Sequence, residues 1–149
     1  MTKSPKKEDP HMKDDVRAAL EITPQAPTRD RTIDITTYGA SSGMPRRIET
    51  WFHHVDGRWF LSGRPGRRDW YANLRKNPQL VVHLKHHVQA DLPATAVLIT
   101  DPRERRRIVT LILRGLEQMG GWTNASDENV QAWVAGSPLV EIDFIAQAQ

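Results

Sequence analysis

The sequence predicts a mainly β domain with packed helices, an α+β fold in which a small antiparallel barrel carries its helices on the outside. Three observations lead there. Between residues 31 and 100, strand-length segments with period-two alternation follow one another through mostly short turns. One long amphipathic helix stands late in the chain, followed by a short helix and a last strand-like run. The regular strand and helix alternation of a doubly wound sheet is missing, and the glycines match no dinucleotide or phosphate-loop fingerprint. Closing the strands into a barrel is then the economical way to leave no open edge.

The elements follow in order. Residues 1–15 combine lysines, acids and prolines with almost nothing apolar, a composition that does not offset the entropy of ordering, and predict a disordered charged tail. Residues 16–149 form one domain, of the usual size for a single core. Residues 16–22 predict a short helix, and residues 23–28, with Pro24 and Pro27, a linker. Ile33 and Ile35 alternate with polar neighbours in a strand over 31–37, and Gly39 and Gly43 turn the chain over 38–44. Residues 45–55 and 58–63 are two strands joined by Asp56-Gly57, a strong hairpin signal. Residues 64–68 form a loop, and Asp69 is expected to cap a short helix over 70–77 that stops before Pro78. Residues 80–85 and 94–100 are strands, with 88–90 pairing between them. The long helix spans 102–118: Asp101 caps it, Pro102 opens the first turn, Glu104 completes the capping box, and Ile108, Leu111, Ile112 and Leu116 form one apolar face. Ser126 opens a short helix ending near Gly136, and residues 139–144 close the sheet.

Composition narrows the function. The formal charge is +3 with an isoelectric point near 9.5, an excess that suits an anionic small molecule or nucleic acid without choosing between them. No cysteine occurs, which removes disulfides, thiolate metal sites, iron–sulfur clusters and cysteine nucleophiles together. The N-terminus lacks the apolar core of a signal peptide and no run suffices to span a bilayer, so the expectation is a cytoplasmic protein without stable membrane insertion.

The chemistry is concentrated in residues 36–78, which pack a glycine turn, a proline and arginine pair, two aromatic strands, a basic glycine loop and an aromatic helix into one segment. Glycines let backbone approach a ligand, and guanidinium groups meet its negative charges, so the segment reads as a cradle for a large anionic cofactor. Arg46, Arg47, Arg64, Arg67, Arg68, Arg75 and Lys76 supply the charge; a solvated basic surface is the plain alternative. No nucleic-acid module is recognisable, and none is expected to bind. Trp51, Phe52, Trp59, Phe60, Trp70 and Tyr71 can stack on a flat ring or fill a core. Trp70 and Tyr71 are expected to wall the cofactor, because they begin a helix directly after the basic loop. Neighbouring residues on a strand face opposite ways, so neither His53-His54 nor His86-His87 can grip one ion, and no metal site is expected. A single axial histidine for haem stays open.

The blocks TTYGASSGMPRRIETWF, DGRWFLSGRPG and DWYANLRKNP, in this order and spacing, resemble the deazaflavin-dependent nitroreductase and quinone reductase family of split β-barrel proteins. The resemblance covers about the middle third of the chain, and the rest agrees in layout. It implies a split β-barrel of the FMN/deazaflavin-binding type whose cofactor is coenzyme F420. The reduced coenzyme would donate a hydride to a small-molecule acceptor such as a quinone, nitro compound or conjugated carbonyl. It further implies that the first turn and the basic loop hold the cofactor's phosphate and glutamyl tail while the aromatic helix lies beside the ring. Ser42, Gly43, Pro45, Arg46, Gly66, Trp70, Tyr71, Asn73 and Leu74 are the matched positions. Ala40 and Ser41 stand where the family is commonly basic, and Arg47, Arg64, Arg67 and Arg68 are expected to supply that charge instead. Trp51 and Arg64 stand where relatives can carry hydroxyl side chains, so stabilising charge on the acceptor falls to turn amides, Arg46 and Tyr71, the expected catalytic side chains. FMN or haem in the same barrel, or a carrier without turnover, are the competing readings, and a homodimer is left open.

Overall fold

The computed structural model describes residues 12–145. It opens with α1 (Asp14–Leu20), two residues earlier than the sequence predicts. Asp14 and Asp15 lie in its first turn, where carboxylates meet unpaired amides, and Thr23 before Pro24 disfavours continuation. The expected tail thus overlaps α1 at residues 14 and 15, and its residues 1–11 lie outside the described residues. The expected linker runs into a short helix, α2 (Thr28–Arg31), which no sequence periodicity announced.

Next come β1 (Thr32–Tyr38), β2 (Pro45–Val55) and β3 (Arg58–Ser62). Asp56 and Gly57 take φ of 58° and 68°, the left-handed pair that a two-residue hairpin needs to match strand twist. In α3 (Asp69–Lys76) the capping position is Arg68; Asp69, expected as the cap, is already the first helical residue. After β4 (Gln79–Leu84), β5 (Ala90–Leu98) is one strand where the sequence predicted a fragment and a separate strand. Pro93 lies inside it. It is tolerated because the ladder to the last strand begins only at Ala94. The chain ends with α4 (Pro102–Gly120), α5 (Asp127–Gly136) and β6 (Leu139–Phe144). Asp101 caps α4 by accepting from Glu104 N at 2.9 Å, and Ser126 caps α5 through Asn129 N at 3.1 Å.

All strand pairs are antiparallel, and they close in the order β1-β2-β3-β6-β5-β4. The expected barrel is what forms. Ile33, Ile35, Phe52, Leu61, Val82 and Val140 fill its interior. At the hairpin end α1 adds Val16 and Leu20, and Trp59 Nε1 donates to Leu20 O at 2.8 Å. At the far end α3 plugs the mouth with Trp70 and Leu74. A second apolar layer lies outside, where Ile108, Ile112, Leu116, Val130 and Trp133 of α4 and α5 cover Val55, Phe60 and Leu139. Arg105, 9% exposed, ties the two helices by donating to Ile99 O, Val134 O, Trp133 O and Ser137 O.

One departure from a plain barrel positions the site. β2 pairs with β1 from Pro45 to Trp51, but with β3 only from Phe52 to Val55. Among the described residues the first half of β2 therefore has one edge without a ladder partner, and the chain leaving β3 at Ser62 swings away from it. The barrel is split along that edge.

Candidate functional site

A cavity of about 410 Å³ opens at the split, within the range typical of small-molecule sites. Trp51, Trp70, Trp122 and Trp133 line it, four of the five tryptophans in the chain. Its charged lining is cationic, Arg64 and Arg68, with no carboxylate among the described residues that border it. The walls come from both faces of the free edge: Thr50 and Trp70 on the barrel side, Trp51, Leu116 and Trp133 on the helix side. Trp122 follows the end of α4, where Gly121 turns the chain at φ 73°. It stands edge-on to Trp51 at 6.1 Å with the Arg64 guanidinium 4.7 Å over its ring.

The loop between β3 and α3 is held by its own last arginine. Arg68 donates to Arg64 O at 2.9 Å, Gly66 O at 3.1 Å and Arg67 O at 3.2 Å. Its guanidinium lies where a side chain at Gly63 would be, since a Cβ there would meet Nη2 at 2.8 Å. Gly66, at φ 139°, donates its amide to Gly136 O at 3.0 Å and so pins the loop to the end of α5.

The turn after β1 is joined to α3 by Asn73. Its Oδ1 accepts from Ala40 N at 2.9 Å and its Nδ2 donates to Thr37 Oγ1 at 3.1 Å. The two loops of the sequence-predicted cradle therefore flank one helix. Arg46, opposite Thr37 in the ladder, shares the barrel-side face with Ile48 and Thr50, and its side chain makes no hydrogen bond or ion pair among the described residues. Ser42 Oγ accepts from Met44 N at 3.0 Å inside the turn, Gly43 takes φ 73°, and Pro45 starts β2 exposed.

Several expected site residues stand elsewhere. Tyr71 lies a helical step from Trp70 and borders a different, open cleft of about 800 Å³ with Gly66, Arg67, Arg75 and Arg105. Trp70 borders the slot and Tyr71 the cleft, with the two rings edge-on at 6.1 Å. Leu74, 1% exposed, is barrel core. The Asn73 side chain holds the turn rather than facing a cavity. Arg47 points to the outer face, where it meets Asp34 at 3.0 Å. Lys85 on the same face holds the Asp34 carboxyl with Arg47, and the two keep it below its ordinary range against the opposing effect of desolvation.

Two residues with no sequence signal for this role stand at the wall and directly behind it. His53 borders the cavity and is 5% exposed. Arg31, 1% exposed, places Nη1 3.1 Å from His53 Nδ1 and lies 5.7 Å over Trp51. Burial, with the Arg31 charge adding to it, holds His53 down to about 3, so the ring is neutral at physiological pH. His54 faces the other way, stacking on Trp59 at 4.9 Å, as strand alternation predicts. Among the described residues no group of three or more His, Cys, Asp or Glu could hold a metal ion, and no helix is long and apolar enough to cross a membrane.

A narrow aromatic slot with a cationic rim fits a planar, anionic heteroaromatic cofactor. Comparison with known proteins bears on which one. Among curated proteins none matches the chain. Solved structures share the fold: a conserved hypothetical protein from Mycobacterium tuberculosis is 19% identical with a TM-score of 0.62, over 94% of this chain and 84% of that one. An F420 reductase is 16% identical with a TM-score of 0.59, over 87% and 93%. HutZ, the heme storage protein from Vibrio cholerae, is 15% identical with a TM-score of 0.54, over 78% and 83%. The sequence profile of the F420H(2)-dependent quinone reductases matches residues 12–120, a span that contains the split, the basic loop and the whole of α3. The chain belongs to the F420H(2)-dependent quinone reductase family, and coenzyme F420 is its cofactor.

Proposed function

We propose that this chain catalyses hydride transfer from reduced coenzyme F420 to a flat electrophilic acceptor, a quinone, nitro compound or conjugated carbonyl. The observation that carries the reading is the slot at the barrel split, walled by four tryptophans and rimmed only by cationic charge. Trp70 and Trp51 would clasp the deazaflavin ring, with Trp122 and Arg64 closing over it. When bound, the coenzyme supplies the hydride; the protein's part is to fix the ring against the acceptor, exclude water and stabilise charge on the acceptor.

The anionic tail would run from Thr50 along the exposed barrel-side face of β2 to Arg46 and the Gly39 turn. Residues 46 and 50 lie four strand positions apart, roughly 13 Å, a length suited to a phosphate and the first glutamyl unit. Arg46 is the cation on that path with no internal partner among the described residues. Arg67 and Arg75, across α3, offer the competing route.

Titration with coenzyme F420, followed by quenching of tryptophan fluorescence, tests the site. Trp70→Ala should weaken binding at least tenfold, and menadione should be reduced by the wild type in the presence of reduced coenzyme. Arg46→Glu should weaken coenzyme binding far more than Arg75→Glu; the reverse ranking would move the tail to the other cleft. Binding without turnover of menadione or a nitroaromatic acceptor would make the protein a carrier instead.

We assign one reductase domain to residues 16–149 and a cytoplasmic setting. A solved neighbour, 21% identical, is a domain-swapped dimer. That likeness supports pairing with a second copy, which light scattering at micromolar concentration decides.

A further inference from the structure

His53 is a buried polar side chain that the reading above leaves unused. Its position is built by Arg31, which donates from Nη1 to His53 Nδ1 at 3.1 Å. A guanidinium has donors and no acceptor, so Nδ1 must be the accepting nitrogen and the ring proton sits on Nε2. Among the described residues Nε2–H has no hydrogen-bond partner, although the residue is 5% exposed and borders the cavity. Ser137 Oγ is the fully buried side-chain atom without a partner among the described residues, so Nε2 opens onto the cavity, where a ligand oxygen can replace solvent as its acceptor.

Arg31 also sharpens the donor. Its Nε donates to Ala26 O at 3.0 Å and its Nη2 to Pro24 O at 2.6 Å, and no carboxylate pairs with it among the described residues. A guanidinium charge that is 1% exposed, with no counter-ion among the described residues, acts on what it touches, the His53 ring and the Trp51 face. It draws electron density toward Nδ1 and leaves Nε2–H a stronger hydrogen-bond donor. The other charged groups at the cavity, Arg64 and Arg68, have the same sign.

We propose that His53 Nε2–H, held in this tautomer by Arg31, donates a hydrogen bond to a carbonyl or anionic oxygen of the flat ligand in the tryptophan cavity. The proposal rests on the reductase reading and deepens it. Two sources carry such an oxygen: a quinone acceptor undergoing reduction, and a ring carbonyl of the coenzyme. With a quinone, the transferred hydride brings both electrons. The product leaves as a hydroquinone anion that takes its last proton from water, while His53 keeps its own proton and stabilises the anionic oxygen. This tautomer also bars Nε2 from ligating iron, since a metal-bound imidazole must give up the proton on the coordinating nitrogen.

The test uses the full chain labelled with ¹⁵N-histidine. At pH 7 the His53 ring should show the neutral, Nε2-protonated pattern. Either menadione or oxidised coenzyme F420, added singly, should move its Nε2 signal, and the one that does names the source of the oxygen. His53→Leu should then lower kcat with menadione about 100-fold at unchanged coenzyme affinity, or weaken coenzyme binding about tenfold. His53→Gln retains an acceptor for Arg31 and an N–H for the ligand, and should recover most of either loss. A charged or Nδ1-protonated ring, a signal that neither compound moves, or a His53→Leu protein intact in both kcat and affinity would overturn the proposal. If the wild type bound no coenzyme F420 at all, the reductase reading would fall, and the menadione arm alone would decide the donor.

Discussion

Acidification should unfold this protein by way of His53. Its folded value of about 3 lies far below the ordinary 6.5, so between those values the unfolded chain binds a proton that the folded chain refuses. Stability therefore rises with pH through that window and is complete above about 6.5. Linkage gives a loss of about 2 kcal/mol on going from pH 7.5 to 5.0, approaching about 5 kcal/mol below pH 3. The charged groups at the ring and on its cavity are Arg31, in contact with it, and Arg64 and Arg68 on the lining, none of which offers an imidazolium a counter-charge. The assay is urea unfolding at the two pH values for the wild type and His53→Gln, whose side chain does not titrate. At an m-value of about 2 kcal/mol/M, the wild-type midpoint should fall about 1 M further than the variant's. Carboxylates such as Asp34 and Glu104, whose values are lowered, titrate in both proteins and cancel in the difference. Parallel losses in the two proteins would mean that His53 accepts a proton in the folded state, and the tautomer argument would go with it.

Three further substitutions probe how the site is held. Gly115→Ala puts a Cβ 2.7 Å from Pro24 O and 2.8 Å from Pro24 Cβ; despite better helix propensity it should destabilise by about 1–3 kcal/mol, and a raised thermal midpoint would refute that packing. Because Pro24 O is also an acceptor for Arg31, the same variant should shift the His53 ring signals. Asn73→Ala leaves Ala40 N–H and Thr37 Oγ1 without their partner, a loss of about 1–3 kcal/mol in urea unfolding, with faster amide exchange at Ala40. Arg105→Met strips donors from four carbonyls that join α4 to α5 and should lose about 3 kcal/mol or more; a smaller loss by calorimetry would mean the two helices hold each other by their apolar faces alone.

The barrel was legible because its signals are local. Alternation of Ile33 and Ile35, the Asp56-Gly57 pair and the box from Asp101 to Glu104 each fix a strand, a turn or a cap within a few residues, and each stands where it was expected. The candidate site was legible only where its residues share a segment: Arg64, Arg68 and Trp70, which the sequence groups in the basic loop and aromatic helix, line the slot. What escaped was long-range. Trp122 and Trp133 come from the helical layer, and nothing near them in sequence says they face Trp51. Adjacent residues on a helix diverge by about 100°, so Trp70 borders the slot while Tyr71, edge-on to it, borders the neighbouring cleft. Strand alternation likewise parts Arg47 from Arg46, a parity that the charge cluster taken as a whole concealed.

The segment that sequence reading treated as a linker has the largest consequence for chemistry. Pro24 and Ala26 supply the carbonyls that anchor Arg31, and Pro24 is itself seated against Gly115, where any side chain would collide. Burying a guanidinium opposes folding by several kcal/mol, and among the described residues it is carbonyl bonds, His53 and the Trp51 face that hold Arg31, with no carboxylate. A core assembled for stability alone would put a leucine or methionine there. The buried charge is instead directed through His53 toward the slot, at the stretch of β2 whose edge the barrel leaves unpaired. Stability is given up at both places, and the two losses meet on one cavity, which is the arrangement expected of a site under selection for binding and reaction rather than for packing.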